Sequence, residues 1–148
     1  MGRMSVEKAL AIACYGESVA AFRYRTLAER APTPRHGEVF NEMAEEEQGH
    51  HQVLSDLLAK EFPGSEFLLT PEDKAAVIVG PRQLDIADAS AFDKAMQHIH
   101  DSERLTGSFY AAFHDTTTRT DLKPLLKEMA DECFEHAERL KEIPPASA

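Results

Sequence analysis

Apolar residues recur at three- and four-residue steps through most of the chain, a spacing that is typical of one buried face of an α-helix. Four such stripes predict long helices over residues 5–30, 35–60, 90–116 and 121–143. Proline follows the first, second and fourth stripes, and it ends helices because it lacks a backbone N–H group. Asp121 is predicted to cap the last helix, with Pro124 in its first turn. We therefore predict an all-α protein in which residues 1–148 form a single domain.

The predicted connections between these helices differ in length. About thirty residues, from Glu61 to Ala89, separate the second helix from the third, and a structureless loop of that length is uncommon in a compact domain. Within this segment, LTPEDKAAV could form one short helix after Thr70. Two short connections and one long one predict two antiparallel helix hairpins joined by a crossover. The second and third long helices should then run parallel.

Composition and charge limit the classes of function. A net charge of −10 and a pI near 5.1 argue against binding to nucleic acid or to anionic membranes. No apolar run reaches the length of about 18 residues that a membrane-spanning helix needs. The two cysteines, Cys14 and Cys133, form no Cys-x-x-Cys pair, which excludes a rubredoxin or zinc-ribbon module from the sequence. We expect both to be reduced thiols in a cytoplasmic protein.

A weak internal repeat runs through the chain. When the sequence is shifted by 86 residues without gaps, ten pairs of positions are identical. The pairs are Lys8 and Lys94, Ala9 and Ala95, Glu17 and Glu103, Tyr24 and Tyr110, Glu42 and Glu128, Met43 and Met129, Ala44 and Ala130, Glu46 and Glu132, His50 and His136, and Leu54 and Leu140. Several of the polar pairs fall on apolar stripes, and this placement supports an internal repeat more strongly than the number of identities does.

Each predicted hairpin carries the same polar residues on its inner stripes. Glu17 precedes His50 by 33 residues, and Glu103 precedes His136 by the same distance. Glu47 lies one turn before His50 on the same helix face. Buried carboxylates are costly unless a cation neutralises them, and carboxylates with imidazoles suit iron, manganese or zinc better than magnesium or calcium. The residues therefore predict a metal site, with a metal-free hydrogen-bonded cluster as the alternative.

In this pattern the chain resembles the ferritin-like superfamily, and most closely its rubrerythrin branch. The resemblance rests on Glu17 with Tyr24, on AEEEQGH, on Glu103 with Tyr110 and on ADECFEH, and it covers almost the whole chain. It implies a ferritin-like four-helix bundle that binds two iron ions, with zinc or manganese as alternatives, and that reacts with peroxide or oxygen. It also implies an external electron-donor protein, since the sequence has no rubredoxin module. We further expect a homodimer paired through an outer helix face.

The sequence departs from the family pattern at Cys133, which replaces the glutamate of the second Glu-x-x-His. Cys133 could fill space as a small apolar residue, bind zinc or iron as a thiolate, or act as a redox thiol paired with Cys14. We expect unequal occupancy, in which the half formed by Glu103 and His136 binds its ion more weakly or binds a softer metal through Cys133. Thr106 stands where rubrerythrins carry a further glutamate.

The other polar residues near these motifs are expected to be structural. Tyr24 and Tyr110 should be core aromatics whose hydroxyl groups find hydrogen-bond partners. Glu45 and Glu46 should form a solvated face, and Glu132 should face outward because one residue turns a helical side chain by about 100°. Packing or solvated positions are expected for His51, His98, His100 and His114.

Three functional hypotheses follow from these residues. The leading one is a rubrerythrin-like protein with a di-iron site and peroxidase or oxidase activity. The second is a non-enzymatic protein that binds or stores one iron or zinc ion, because the loss of a bridging carboxylate favours a mononuclear site. The third is a metal-free bundle used for interaction. The predicted ligands are Glu17, Glu47, His50, Glu103, His136 and Cys133.

Overall fold

The computed structural model describes residues 4–64 and 68–147 and consists of helices joined by loops, with no strand in these ranges. The helices are α1 (Val6–Glu29), α2 (Pro34–Glu61), α3 (Pro71–Ala75), α4 (Ala89–Thr116) and α5 (Lys123–Glu142), with a 3₁₀ turn at Thr120–Leu122. None of the helices in the described ranges is long and apolar enough to cross a membrane. The all-α prediction is confirmed.

The four long helices begin and end within two residues of their predicted limits. The short helix predicted after Thr70 is also present as α3, and Thr70 and Asp73 form a capping box at its start. The prediction for Asp121 was wrong. Asp121 lies inside the 3₁₀ turn and accepts hydrogen bonds from Arg119, while α5 begins after Leu122 without a side-chain cap. The carboxylate that was expected to cap the helix is thus hydrogen-bonded to the guanidinium of Arg119.

The long helices form two hairpins, in which α1 packs against α2 and α4 packs against α5. Cys14 contacts His51, and Ala28 lies against Gly37, so α1 and α2 run antiparallel. Glu103 faces His136, and Gly107 lies against Phe134. Since the later residue of α4 contacts the earlier residue of α5, these two helices are also antiparallel.

The crossover between α2 and α4 makes those two helices run parallel. Phe40 of α2 packs edge to face on Phe92 of α4, with ring centroids 5.8 Å apart. Glu47, seven residues further along α2, lies near Glu103, which is eleven residues further along α4. The hairpin, crossover, hairpin order is therefore the predicted one. Residues 65–67 of the predicted crossover lie outside the described residues.

The second half of the crossover covers the side of the bundle between α1 and α4. A β-carbon on Gly16 would lie 3.1 Å from the Val77 side chain, so the glycine allows the crossover to approach α1 closely. On α4, the hydroxyl of Thr106 donates to the Val77 carbonyl at 3.1 Å, and Ser102 accepts from the Val79 N–H at 2.8 Å. Thr106, which stands in place of the expected extra glutamate, thus holds the crossover.

The buried apolar side chains form two clusters at different heights in the bundle. One cluster lies towards the start of α1 and includes Leu10, Leu54 and Leu126. The other lies towards the end of α1 and includes Leu27 and Phe40. The buried glutamates and histidines occupy the sequence positions between the clusters, so the helices place a polar layer in the middle of an apolar core.

Arg23 fixes the crossover to the bundle, and its removal should destabilise the fold. This buried guanidinium donates to the carbonyls of Val79 and Pro81 at 2.8 and 2.5 Å. Arg23→Met should lower the free energy of unfolding by about 2–4 kcal/mol, because buried carbonyl groups lose their donors. Urea unfolding of the metal-free protein measures the change. The exposed Arg25→Met should change stability by less than about 0.5 kcal/mol, and equal effects of both variants would contradict the assigned role.

Candidate metal centre

Five of the six predicted ligands meet in the polar layer. Ligand atoms of Glu17, Glu47 and His50 all lie within 4.8 Å of one another, and so do those of Glu47, Glu103 and His136. These two groups are called the first and the second half-site below. Glu47 belongs to both, whereas the sequence-based expectation assigned it to the first only. The two half-sites therefore have equal numbers of candidate ligands and share one carboxylate.

Each long helix supplies part of this arrangement. Glu17 comes from α1, Glu47 and His50 from one face of α2, Glu103 from α4 and His136 from α5. The three glutamates and His136 are at most 3% exposed. The two halves of the sequence repeat thus form the two hairpins, and the candidate ligands lie between them.

Both histidines turn the Nδ1 atom towards the glutamates. The Nδ1 of His50 lies 3.5 Å from Oε2 of Glu17 and 3.8 Å from Oε2 of Glu47. The Nδ1 of His136 lies 2.6 Å from Oε1 of Glu47 and 3.1 Å from Oε2 of Glu103. A cation placed among these atoms would meet both imidazoles through the same nitrogen.

The inward-facing atoms fit a cation. Oε2 of Glu17, Oε1 of Glu47, Oε2 of Glu103 and the Nδ1 atoms of His50 and His136 are all buried, and their close contacts with one another do not qualify as hydrogen bonds. Buried polar atoms in native proteins nearly always have hydrogen-bond partners. Five buried oxygen and nitrogen atoms without hydrogen bonds at one place suit a transition-metal ion of the iron, manganese or zinc type.

The charges of the cluster favour a cation at this place. Burial raises the pKa of Glu17 to about 8, and the carboxylate of Glu47 contributes to the rise. Burial also raises the pKa of Glu103 to about 7, although His136 acts against it. Burial alone would lower the pKa of both imidazoles, but the adjoining glutamates raise the pKa of His50 and of His136 to about 11. Without a metal, protons on the imidazoles neutralise the carboxylates, and metal binding would displace them.

Two outer carboxylates that the sequence analysis placed in solvent contact the histidines. Glu132 contacts the Nε2 of His50, and Oε2 of Glu46 lies 2.5 Å from the Nε2 of His136. Each side chain is more than one-third exposed, so both do face outward in part. A carboxylate at the outer nitrogen fixes the tautomer and orientation of a ligating histidine. The pairing of Glu46 with Glu132 in the sequence repeat was the signal that could have revealed this role.

The two tyrosines of the repeat differ in their contacts. The Tyr110 hydroxyl donates to Oε1 of Glu17 at 2.7 Å, which confirms the predicted hydrogen-bonded core aromatic and also positions a candidate ligand. Tyr24 is equally buried and packs edge to face on the His136 ring, 6.1 Å between centroids. The predicted core position of Tyr24 is therefore confirmed, whereas the predicted hydrogen bond of its hydroxyl is absent.

Cys133 lies beside the cluster and outside both half-sites. It is 3% exposed and packs in the apolar cluster that includes Tyr110, Leu126 and Met129. Burial and the charge of Glu103 raise the pKa of the Cys133 thiol well above its usual value. In the metal-free protein, this environment favours the neutral thiol.

Cys14 lies on a different face, in a cavity of about 440 Å³ between α1 and α2. Its thiol is 3.3 Å from the Nδ1 of His51, and that nitrogen also lies 3.1 Å from the Cys14 carbonyl oxygen. His51 therefore packs against α1, as expected, and turns away from the ligands that include its neighbour His50. Both cysteines are free thiols.

Comparisons with known proteins agree with this arrangement. A sequence model of the rubrerythrin family matches residues 8–143. A solved structure of a hypothetical protein from Pyrococcus furiosus is similar, with a TM-score of 0.78 and 25% identity, covering 93% of this chain and 87% of the other. No curated protein gives a significant match. Because the family match spans nearly the whole chain, the protein belongs to the rubrerythrin family.

Proposed function

We propose that the protein binds two iron ions in its polar layer and acts as an oxidoreductase towards peroxide or oxygen. The observation that carries the proposal is the set of five buried candidate ligand atoms, all without hydrogen-bond partners, that converge from four helices around the shared Glu47. A shared carboxylate with one glutamate and one histidine on either side matches five of the six ligand positions in the plan of two-metal carboxylate bundles, and Cys133 stands at the sixth.

Iron is the metal that the family resemblance favours, and the donor atoms support it. Carboxylate oxygens with imidazole nitrogens also suit manganese and zinc, which stay as alternatives. When bound, a pair of ferrous ions supplies the two electrons that reduce a peroxide to water. Electrons for the next cycle would come from a separate donor protein.

The residues around the ligands have supporting roles in this proposal. Tyr110 holds the Glu17 carboxylate through its 2.7 Å hydrogen bond, while Glu46 and Glu132 orient the two imidazoles. The crossover and the two apolar clusters exclude water from the α1 and α4 side, which strengthens the electrostatic contacts inside.

Assembly and location complete the proposal. We expect a homodimer, and the side chain of Phe22 on α1, which is 46% exposed, offers apolar surface for such a contact. The two free thiols are consistent with the reducing environment of the cytoplasm.

A second candidate function is the binding or storage of one iron or zinc ion without catalysis. Cys133 favours it, because the glutamate expected at this position would have supplied a second bridge, and Cys133 lies outside both half-sites. A single ion cannot deliver two electrons to peroxide in the di-iron manner. The number of ions per chain therefore separates the two candidates.

Iron content and peroxide reactivity test the leading proposal directly. Protein purified from iron-supplemented cells should hold about two irons per chain, as two-metal bundles do, and hydrogen peroxide should oxidise the ferrous form rapidly. Elemental analysis and stopped-flow absorbance measure the two quantities. One iron per chain that stays ferrous in excess peroxide would instead support the storage function.

Metal removal should destabilise the protein, because a ligand that binds only the folded state stabilises it by mass action. With free metal at one hundred times the Kd, the gain is about 2.7 kcal/mol, or a Tm higher by about 5–10 °C. His50→Ala should remove most of this difference. His51→Ala is the matched control, since the adjacent imidazole contacts Cys14 and should leave the metal-dependent shift in place. Equal melting with and without a chelator would point to a metal-free bundle.

If the wild type holds fewer than two irons per chain, Cys133→Glu should raise the iron content towards two and speed the reaction with peroxide, because it restores a second carboxylate to the centre. Elemental analysis before and after the substitution measures the change, and circular dichroism checks the fold. Cys133→Ala separates the interpretations of the thiol: an unchanged metal content identifies a space-filling residue, and a reduced one identifies a ligand. Wild-type protein with two equivalent irons and no thiolate charge-transfer band would exclude the ligand role.

A further inference from the structure

The two half-sites differ in how well their outer face is closed. This face lies between α2 and α5, opposite the side that the crossover covers. The side chain of His50 in the first half-site is 15% exposed, whereas that of His136 in the second is 2% exposed. An ion leaving the centre would meet different surroundings at the two histidines.

The second half-site is closed by an arginine. Glu46 covers the Nε2 of His136 and is itself held by Arg139, whose Nη1 lies 3.3 and 3.5 Å from the two carboxylate oxygens. The Nη2 of Arg139 also lies 3.7 Å from Glu42. A guanidinium that contacts both oxygens restricts the orientation of a carboxylate, so Glu46 is fixed over the histidine.

The first half-site keeps the same carboxylates and lacks the arginine. Under the 86-residue shift, Glu46 corresponds to Glu132 and Glu42 to Glu128, but the position equivalent to Arg139 is Val53. Val53 is 47% exposed. Among the described residues, Glu132 makes an ion pair only with His50. In the described residues, Glu132 thus keeps its contact with the imidazole but has no arginine to restrain it as Arg139 restrains Glu46.

We propose that Glu132 and His50 form the passage through which metal ions enter and leave, and that Arg139 closes the equivalent passage at the second half-site. The inference rests on the proposed two-metal function. Since the α1 and α4 side is covered by the crossover, exchange takes place on the α2 and α5 side, where Arg139 clamps one outer carboxylate and not the other. This is a difference in rate set by access, and it is separate from any difference in affinity caused by Cys133.

The test uses the full chain loaded anaerobically with cobalt(II), whose visible absorption reports each bound ion. After mixing with excess EDTA, the wild type should release its ions in two phases of equal amplitude. The rates should differ by about tenfold or more, the scale on which outer partners of ligating histidines act. Arg139→Val should speed the slow phase by a similar factor. Val53→Arg, which places a guanidinium near Glu132 and Glu128, should slow the fast phase.

Arg82→Val is the control, because it removes an exposed arginine from the crossover and should change neither phase. Circular dichroism checks each variant, and Val53→Arg keeps the test valid if Arg139→Val is unstable, since it adds a side chain at an exposed position. Two ions released at one rate, or phases unaffected by either substitution, would overturn this inference and leave the two-metal function standing. A loaded chain that holds one ion or none would overturn both.

Discussion

The burial of three carboxylates in an apolar bundle is the constraint on which the rest of the structure depends. Glu17, Glu47 and Glu103 lie between two apolar clusters and are almost fully shielded from water. Carboxylates in such a place are stable only with protons or cations beside them. The two imidazoles with strongly raised pKa values supply the positive charge in the metal-free protein, and two divalent ions would supply more. The apolar side chains packed around the three glutamates cannot neutralise the charge of their carboxylates.

Several features away from the ligands follow from this constraint. The crossover is tied down by Arg23, Ser102 and Thr106, so that water does not reach the glutamates from the α1 and α4 side. On the opposite side, the outer carboxylates Glu46 and Glu132 hold the imidazoles so that Nδ1 faces inward. Fixed imidazole orientation matters more here than at the surface, because the ligands come from four separate helices and any rotation would remove a donor from the cluster.

The sequence predicted the helices and the convergence of the candidate ligands because both depend on periodicity. A glutamate such as Glu17 on an apolar stripe is visible without a structure, and the 86-residue repeat identified its partner Glu103. The contacts of the outer carboxylates, Glu46 and Glu132, were harder to predict, since Glu46 lies off the inner stripe and touches a histidine of another helix. The predicted cap at Asp121 failed for a local reason, because Arg119, two residues earlier, competes for the carboxylate. Side-chain contacts therefore limited the prediction more than helix formation did.

The presence of Cys133 in place of a glutamate changes the charge balance of the candidate metal centre. Three inner carboxylates carry −3, so two divalent ions would leave a net charge of +1. Glu46 and Glu132 touch the same imidazoles and bring the total to −1, and Arg139 beside Glu46 returns it to zero. The outer carboxylates thus compensate for the glutamate that Cys133 replaces. With cysteine at this position, two ions bound as proposed would therefore leave no large uncompensated charge in the buried layer.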